Sequence, residues 1–193
     1  MVFQQHIRKT TAILGLFGLL VILPGCPLSP DSDDGGPPVD TRLPERNSIE
    51  NTIERQSLIW RQKKLREYEE ILHDQFVFYV RDDDAAQLPW VENGFWERTI
   101  ELEIASNMFD ANFSGAEQPV DSIEYSYNTL NERPLTDSQG NVIGATVTVD
   151  AVVQILVGPD TGWVADTRLE FDVVQDPNEP GLYQIIRQQE FDV

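Results

Sequence analysis

Apolar residues recur at alternate positions through the last third of the chain. In the segment 145–157 every odd position is apolar, and in 163–173 the odd positions are again apolar apart from Thr167. Because successive side chains of a strand point to opposite faces, each segment predicts a strand with one apolar face. The apolar positions are Ala145, Val147, Val149, Ala151, Val153, Ile155 and Val157, followed by Trp163, Ala165, Leu169, Phe171 and Val173.

Turn sequences divide this region into a meander. The segments 158–162 and 176–181 are rich in Gly and Pro, and they separate the two strands from each other and from a last strand over 182–193. An earlier strand alternates Ile123, Tyr125, Tyr127 and Thr129 with polar residues. After it, the segment 131–141 carries Arg-Pro and Gln-Gly-Asn and predicts a long loop. Strands linked in this order predict an antiparallel sheet with one apolar face.

Helical periodicity dominates the region before the sheet. Asn47 is predicted to cap a first helix, because Glu50 stands three residues further on, as in a capping box. Residues at helical spacing then follow in two stretches with a break near 61–64, and His73 with Asp74 ends the segment. These residues are Ile49, Ile53, Gln56 and Trp60 before the break, and Leu65, Tyr68 and Leu72 after it.

A short strand and a second helix complete the pattern. The segment 76–80 is aromatic and β-branched, which predicts a short strand. The second helix is predicted from Trp96 to Phe109, with an apolar stripe on one side. The stripe comprises Trp96, Ile100, Ile104 and Met108, widened by Leu102, Ala105 and Phe109. Such a stripe is more typical of a core than of a ligand cage.

Helices that precede a sheet with one apolar face have that face to cover. The predicted class is therefore α+β, with N-terminal helices packed on a curved antiparallel sheet of about four long strands and one short strand. The order of elements over 47–193 resembles the nuclear transport factor 2-like (cystatin-type cone) fold. The resemblance lies in the order of elements. The first helical region ends in the segment 65–78, and a short strand, the Trp96-led helix and four long strands follow it. It implies a cone domain of the kind that bacterial lipoprotein anchors carry without an assigned activity.

The beginning of the chain is organised like a secretory leader. Arg8 and Lys9 are followed by an uncharged, mostly apolar run over 11–23, shorter than the ~20 residues of a spanning helix. The run ends in Leu-Pro-Gly-Cys at 23–26, which resembles the lipobox of bacterial lipoproteins. This resemblance implies transfer of a diacylglycerol group to the sulfur of Cys26, removal of a signal peptide over 1–25, and acylation of the new amino group.

Residues 26–46 are predicted to form the lipidated Cys26 and a disordered tether. The segment 27–46 holds five Pro, two Gly and four Asp and has few apolar residues. Such a composition cannot bury enough apolar surface to offset the entropy of ordering the chain. Pro27 follows the cysteine directly, which resembles lipoproteins sorted to an outer membrane.

Charge and cysteine content exclude several function classes. The net charge is −19, and loss of Arg8 and Lys9 with the leader, which has no acidic residue, would change it to −21. Nucleic acid is therefore excluded as a partner, and only acyl chains could hold so acidic a protein on a bilayer. Cys26 is the only cysteine and His73 is the only histidine after residue 25, too few ligands for zinc. No cofactor motif is present, so no cofactor or metal is expected.

His73 is the candidate catalytic residue. Members of the resembled fold, such as ketosteroid isomerase, scytalone dehydratase and polyketide cyclases, use His with Asp or Glu inside the cone as acid and base. Asp74 stands beside His73 and could complete such a pair. The alternative is that His73 only ends a helix, where the helix dipole favours it. This alternative is preferred, because adjacent side chains usually diverge.

Trp96, Tyr125 and Arg187 are the candidate ligand-binding residues. In the last strand Arg187 shares the parity of Tyr183 and Ile185, so it could look into the cone and hold an anionic ligand. A β-bulge could instead turn Arg187 outward, towards the acidic strand beside it. The outward arrangement is preferred.

Together these patterns predict a membrane-anchored lipoprotein of the bacterial cell envelope, in the outer membrane where the source has one. Its cone domain is expected to have a non-catalytic binding or structural role. The alternatives are a small-molecule isomerase or dehydratase that uses His73, and an accessory subunit of an envelope protein assembly. Possible partners are a small apolar ligand or an envelope protein. A monomer or a weak homodimer is expected, because the polar sheet face is too charged for an obligate interface.

The lipobox generates a direct chemical prediction. Mass spectrometry of the mature protein is expected to find Cys26 as the first residue, carrying acyl chains. An intact leader, or an unmodified product that begins elsewhere, would contradict it.

Overall fold

The computed structural model describes residues 42–81, 85, 88, 91, 93–112, 119–157 and 162–191. The predicted signal peptide, Cys26 and the tether as far as residue 41 lie outside these residues. Within them, no helix combines the length and the apolar character that crossing a membrane requires.

The described residues form three helices and six strands. In chain order they are α1 (Ile49–Gln62), α2 (Leu65–Ile71), β1 (Leu72–Tyr79), β2 (Phe95–Glu97), α3 (Arg98–Phe109), β3 (Ser122–Thr136), β4 (Val142–Leu156), β5 (Gly162–Gln175) and β6 (Tyr183–Phe191). The strands make one sheet in the order β2-β1-β6-β5-β4-β3. All neighbouring strands are antiparallel except β1 and β6, which are parallel. The predicted α+β class is thus confirmed, with one parallel pair that the meander pattern did not predict.

The inner face of the sheet forms the core with the helices. The odd positions of β4 and β5 line this face, as the alternation predicts, and Val149, Phe171 and Val173 have no exposed surface. On β6 the alternation is interrupted, because the pairing with β5 shifts between the Asp172 and Val173 positions. Such a bulge moves the side chains that follow it to the opposite face.

The start of α1 differs by one residue from the prediction. Ser48, and not Asn47, is the N-cap, and its Oγ accepts a hydrogen bond of 3.1 Å from the amide of Asn51. The predicted break is confirmed at Lys63, which ends α1 in the left-handed conformation at φ 53°. The Lys63 ammonium donates to the carbonyls of Val120 and Asp121 and so fixes the break against the chain that enters β3.

Two predicted boundaries were wrong because strand pairing overrides local sequence. His73 and Asp74 lie inside β1, which begins at Leu72 opposite Ile185 of β6, so they do not end a helix. Trp96 lies in β2 opposite Phe78, and the second helix begins only at Arg98. Both changes move candidate residues from helices into the sheet.

The predicted loop over 131–141 is mostly strand. β3 pairs with β4 as far as Thr136, which leaves only 137–141 as a turn. Pro134 lacks an amide hydrogen and therefore argued against a strand, but β3 is the last strand of the sheet. Proline is tolerated in an edge strand, since only one side of it is paired.

The last residues of the predicted tether pack on the folded unit. The Arg46 guanidinium lies 2.7 Å from Asp176 Oδ2 and 3.0 Å from Glu179 Oε2, at the turn between β5 and β6. The Tyr183 amide donates to the Arg46 carbonyl, and Leu43 packs against the core. The compact unit therefore includes 43–46, four residues before the predicted boundary at Asn47.

Gly144 allows β4 and β5 to approach closely. A Cβ at this position would lie 1.9 Å from the carbonyl oxygen of Val173, so any larger residue must displace backbone. G144A is expected to lower the free energy of unfolding by about 1–3 kcal/mol, measured by urea denaturation. G140A is the control, because it strains only a left-handed turn at φ 86° with open space around it, and about 1 kcal/mol is expected. An equal loss in the two variants would contradict the close approach.

Candidate functional site

A buried carboxylate lies where α2, β2 and α3 meet. Glu101 of α3 is only 3% exposed. Its Oε1 accepts a hydrogen bond of 2.5 Å from the Tyr68 hydroxyl of α2, and its Oε2 accepts one of 2.7 Å from the Trp96 indole of β2. Because each donor comes from a different element, the carboxylate joins all three. We call these three residues the Glu101 centre.

Aromatic rings enclose the Glu101 centre. The Trp60 ring meets the Tyr68 ring edge-on at 5.6 Å and the Phe109 ring edge-on at 5.3 Å. On the other side, the Trp96 ring stacks on Phe78 at 4.4 Å with 2° between the planes. Edge-to-face and stacked pairs each add about 0.5–1.5 kcal/mol beyond the area they bury. The carboxylate is therefore held in an apolar, rigid environment.

Burial shifts the titration of this centre. Loss of solvation raises the pKa of Glu101, while the hydrogen bonds from Tyr68 and Trp96 act in the opposite direction. The pKa of Tyr68 is raised well above its usual value, first by burial and then by the charge of Glu101. Burial also raises the pKa of Tyr125 on β3. Raised pKa values of this kind are typical of acid–base sites and also of structural clusters.

A second polar feature lies on the same side of the sheet. Gln56 is 2% exposed, and its Nε2 donates to Gln188 Oε1 of β6 at 3.1 Å. Gln56 Oε1 and, one helical turn further, Trp60 Nε1 are buried and have no hydrogen-bond partner in the part of the chain that the structure describes. An unpaired donor and an unpaired acceptor of this kind could be satisfied by a water molecule or by a small polar ligand.

The sequence did not single out Glu101. The predicted stripe began with Trp96 and Ile100, but Ile100 is exposed and the buried positions of α3 are Glu101, Ala105 and Phe109. These three are spaced by four residues, so helical periodicity alone could have found them. A glutamate in an otherwise apolar series is normally assigned to the solvent side, and only its donors from other elements make its burial possible.

His73 does not join this centre. Its Nδ1 accepts a hydrogen bond of 3.0 Å from the amide of Gln75, two residues further along β1. It forms no ion pair with a described carboxylate. Asp74 is exposed, so these neighbours do not make a convergent pair.

Arg187 lies on the outer face of the sheet. After the bulge of β6 it stands opposite Asp172, and its guanidinium contacts Asp172 Oδ2 at 2.6 Å and Glu170 Oε1 at 2.5 Å. Thr146 donates to the second oxygen of Asp172 at 2.6 Å. Of the two arrangements that the sequence left open, the structure has the outward one. Arg187 therefore does not line the cone.

Trp96 and Tyr125 both lie on the inner side. Trp96 belongs to the Glu101 centre itself, and Tyr125 is a buried residue of the core on β3. Cys26 lies outside the described residues. Among the described residues, no group of His, Cys, Asp and Glu is arranged to hold a metal ion.

Comparisons with known proteins identify the fold. No protein-family model matches the chain, and no curated protein matches it either. A conserved protein from Planctomyces limnophilus is 12% identical, with a TM-score of 0.52 over 74% of this chain and 91% of that one. The beta subunit of benzoate 1,2-dioxygenase from Burkholderia mallei is 14% identical, with a TM-score of 0.50 over 74% and 86%. A candidate scytalone dehydratase from Novosphingobium aromaticivorans is 10% identical, with a TM-score of 0.51 over 76% and 82%.

The domain has the nuclear transport factor 2-like cone fold. Three helices packed on a curved, open sheet of six strands match the architecture of these structures. Proteins of this fold include enzymes and non-catalytic proteins, so the fold by itself does not decide the activity. At such low identity, the role of this chain must be argued from its own residues.

The Glu101 centre generates a prediction of pH-dependent stability. The pKa of Glu101 is higher in the folded than in the unfolded protein, so its protonated form stabilises the fold. Its contribution to the free energy of unfolding is fully present below the pKa of the unfolded state, and it is lost as the pH rises through the pKa of the folded state. E101Q cannot accept both hydrogen bonds and is expected to cost about 1–3 kcal/mol at acidic pH. This difference from the wild type should shrink as the pH rises.

Urea denaturation between about pH 4 and pH 8 measures the effect. E103Q is the matched control on the exposed side of α3, and it is expected to change the free energy of unfolding by less than about 0.5 kcal/mol. A difference between wild type and E101Q that stays constant with pH would contradict a raised pKa.

Proposed function

We propose that the protein is a lipoprotein of the bacterial cell envelope whose cone domain has a non-catalytic binding or structural role. Acyl chains on Cys26 would hold it at the bilayer. The support for the anchor is the leader over 1–25, with its positive start, apolar run and Leu-Pro-Gly-Cys ending. A protein of net charge −19 has no electrostatic means of staying on anionic lipid, whereas acyl chains contribute ~0.8 kcal/mol for each buried CH₂.

The observation that carries the non-catalytic role is the bonding of Glu101. A general base needs a lone pair directed at the substrate, within about 3 Å of the proton that it removes. Both oxygens of Glu101 instead accept short hydrogen bonds from Tyr68 and Trp96, inside a shell of packed rings. The carboxylate acts as an internal clamp between three elements.

The other candidate groups do not supply a site. His73 bonds to its own strand, and Arg187 is neutralised by two carboxylates on the opposite face. A small ligand could still be held by the unpaired atoms of Gln56 and Trp60, which favours binding over chemistry.

A second candidate function is acid–base catalysis on a small carbonyl compound. The buried Glu101 favours it, because burial raises the pKa of its carboxyl group, and carboxyl groups with raised pKa values serve as acids and bases in enzymes. One of the similar solved structures is named as a candidate scytalone dehydratase. This function would require Tyr68 or Trp96 to release an oxygen of Glu101 when a substrate enters.

Hydrogen–deuterium exchange separates the two functions. The acylated protein in detergent is incubated in D₂O with acetone, cyclohexanone and 4-hydroxybutan-2-one, and NMR follows deuterium at the carbon next to the carbonyl. The expected result is exchange at the buffer rate in the wild type, E101Q and H73A alike. Wild-type exchange that falls at least tenfold in E101Q or H73A would contradict the non-catalytic role.

A further inference from the structure

The hairpin of β3 and β4 projects beyond the rest of the sheet. β4 pairs with β5 only from Gly144 onwards. Val142 therefore pairs with Thr136 of β3 alone, and Ile143 lies at an irregularity in the β3–β4 pairing. On this projecting end, which we call the hairpin tip (residues 136–143), most side chains are exposed to solvent. Neither the core nor another described strand covers it.

The hairpin tip exposes apolar side chains to solvent. Val142 is 67% exposed, the highest value for any large hydrophobic residue that the structure describes, and Ile143 is 42% exposed. Val142 and Ile143 are adjacent in the chain, at the point where the β3–β4 pairing shifts register next to the turn. Two adjacent exposed apolar side chains at the end of a projecting hairpin form a small apolar patch that a membrane or another protein could contact.

The turn holds this tip in one shape. The Asp137 carboxylate accepts hydrogen bonds from the amides of Gln139 and Asn141 at 2.8 and 2.9 Å, and from the Asn141 side chain at 2.9 Å. A backbone hydrogen bond from the Asp137 amide to the Asn141 carbonyl closes the turn of the hairpin. The apolar residues are therefore preorganised, and little conformational entropy would be lost when they bind.

The chain enters the domain at the same end of the sheet. Arg46 bonds to Tyr183, the first residue of β6, which pairs with Gln175, and the adjacent Val174 pairs with Gly144 at the base of the hairpin tip. Neighbouring strands are ~4.8 Å apart, so β6 and β4 lie about 10 Å from each other there. The entry point and the hairpin tip thus share one end of the domain.

The number of residues before the entry point limits the distance to an anchor. Only 17 positions separate Cys26 from Leu43. A flexible chain of that length has a mean end-to-end distance of roughly 20–25 Å. An anchor at Cys26 would therefore keep this end of the domain within roughly 20–25 Å of the bilayer.

We propose that the hairpin tip is a second membrane contact, in which Val142 and Ile143 enter the boundary between headgroups and acyl chains. This inference rests on the proposed anchor at Cys26. The partner is an electrically neutral, zwitterionic lipid surface, because Asp137 is the one charged residue of the tip and gives it a net charge of −1. Two contacts at one end would orient the domain, with the Glu101 centre on a fixed side relative to the lipid.

A fluorescent label on the hairpin tip tests the contact. In the acylated protein the sulfur of Cys26 is blocked, so S138C offers a single thiol for an environment-sensitive dye. S126C is the matched control, an exposed serine of β3 nearer the opposite end of the sheet. The proteins are reconstituted in phosphatidylcholine vesicles that contain a lipid with a quencher near the headgroup.

The expected result is at least threefold stronger quenching, with a blue shift, at position 138 than at position 126. V142S together with I143S should abolish this difference, whereas V164S, which removes an exposed valine towards the other end of β5, should leave it unchanged. Vesicles with 30% anionic lipid should weaken the quenching at 138.

Three outcomes would overturn the contact. Equal quenching at 138 and 126 in vesicle-bound protein refutes the contact but leaves the anchor intact. Shielding of position 138 only after addition of an envelope extract would assign the tip to a protein partner. Protein that fails to remain on the vesicles would refute the anchor itself, and the second contact with it.

Discussion

The burial of one carboxyl group constrains much of this domain. Glu101 can leave water only because Tyr68 and Trp96 each supply a donor, and those donors come from a helix before it and a strand beside it. Removing either donor would leave a buried oxygen unpaired, at a cost of about 1–3 kcal/mol. The packing of α2, β2 and α3 is therefore specified by polar bonds as well as by apolar area.

The two faces of the sheet differ in how their polar side chains are paired. On the outer face, Arg187 is surrounded by Asp172, Glu170 and Gln189, so its charge is used within the protein. Among the described residues, the buried side-chain polar atoms that remain unpaired belong to Arg55, Gln56 and Trp60 of α1.

The two ends of the sheet are also different. One end receives the chain through Arg46 and its carboxylate partners and carries the apolar hairpin tip. The opposite end of the sheet contains Trp163 and the first residues of β3. For a domain tethered through its N-terminal segment, this asymmetry gives a physical reason for one preferred orientation at a surface, since anchor and apolar tip would act on the same end.

Local sequence determined the elements whose periodicity is long and uninterrupted: the alternation of β4 and β5, the break in the first helix at Lys63, and the α+β class. It also contains the pattern from which a leader over 1–25 is predicted. Tertiary structure decided the outward position of Arg187, the strand that contains His73 and Trp96, the length of β3 through Pro134, and the burial of Glu101. Each of these depends on a partner distant in the chain, and a periodic pattern contains no information about such a partner.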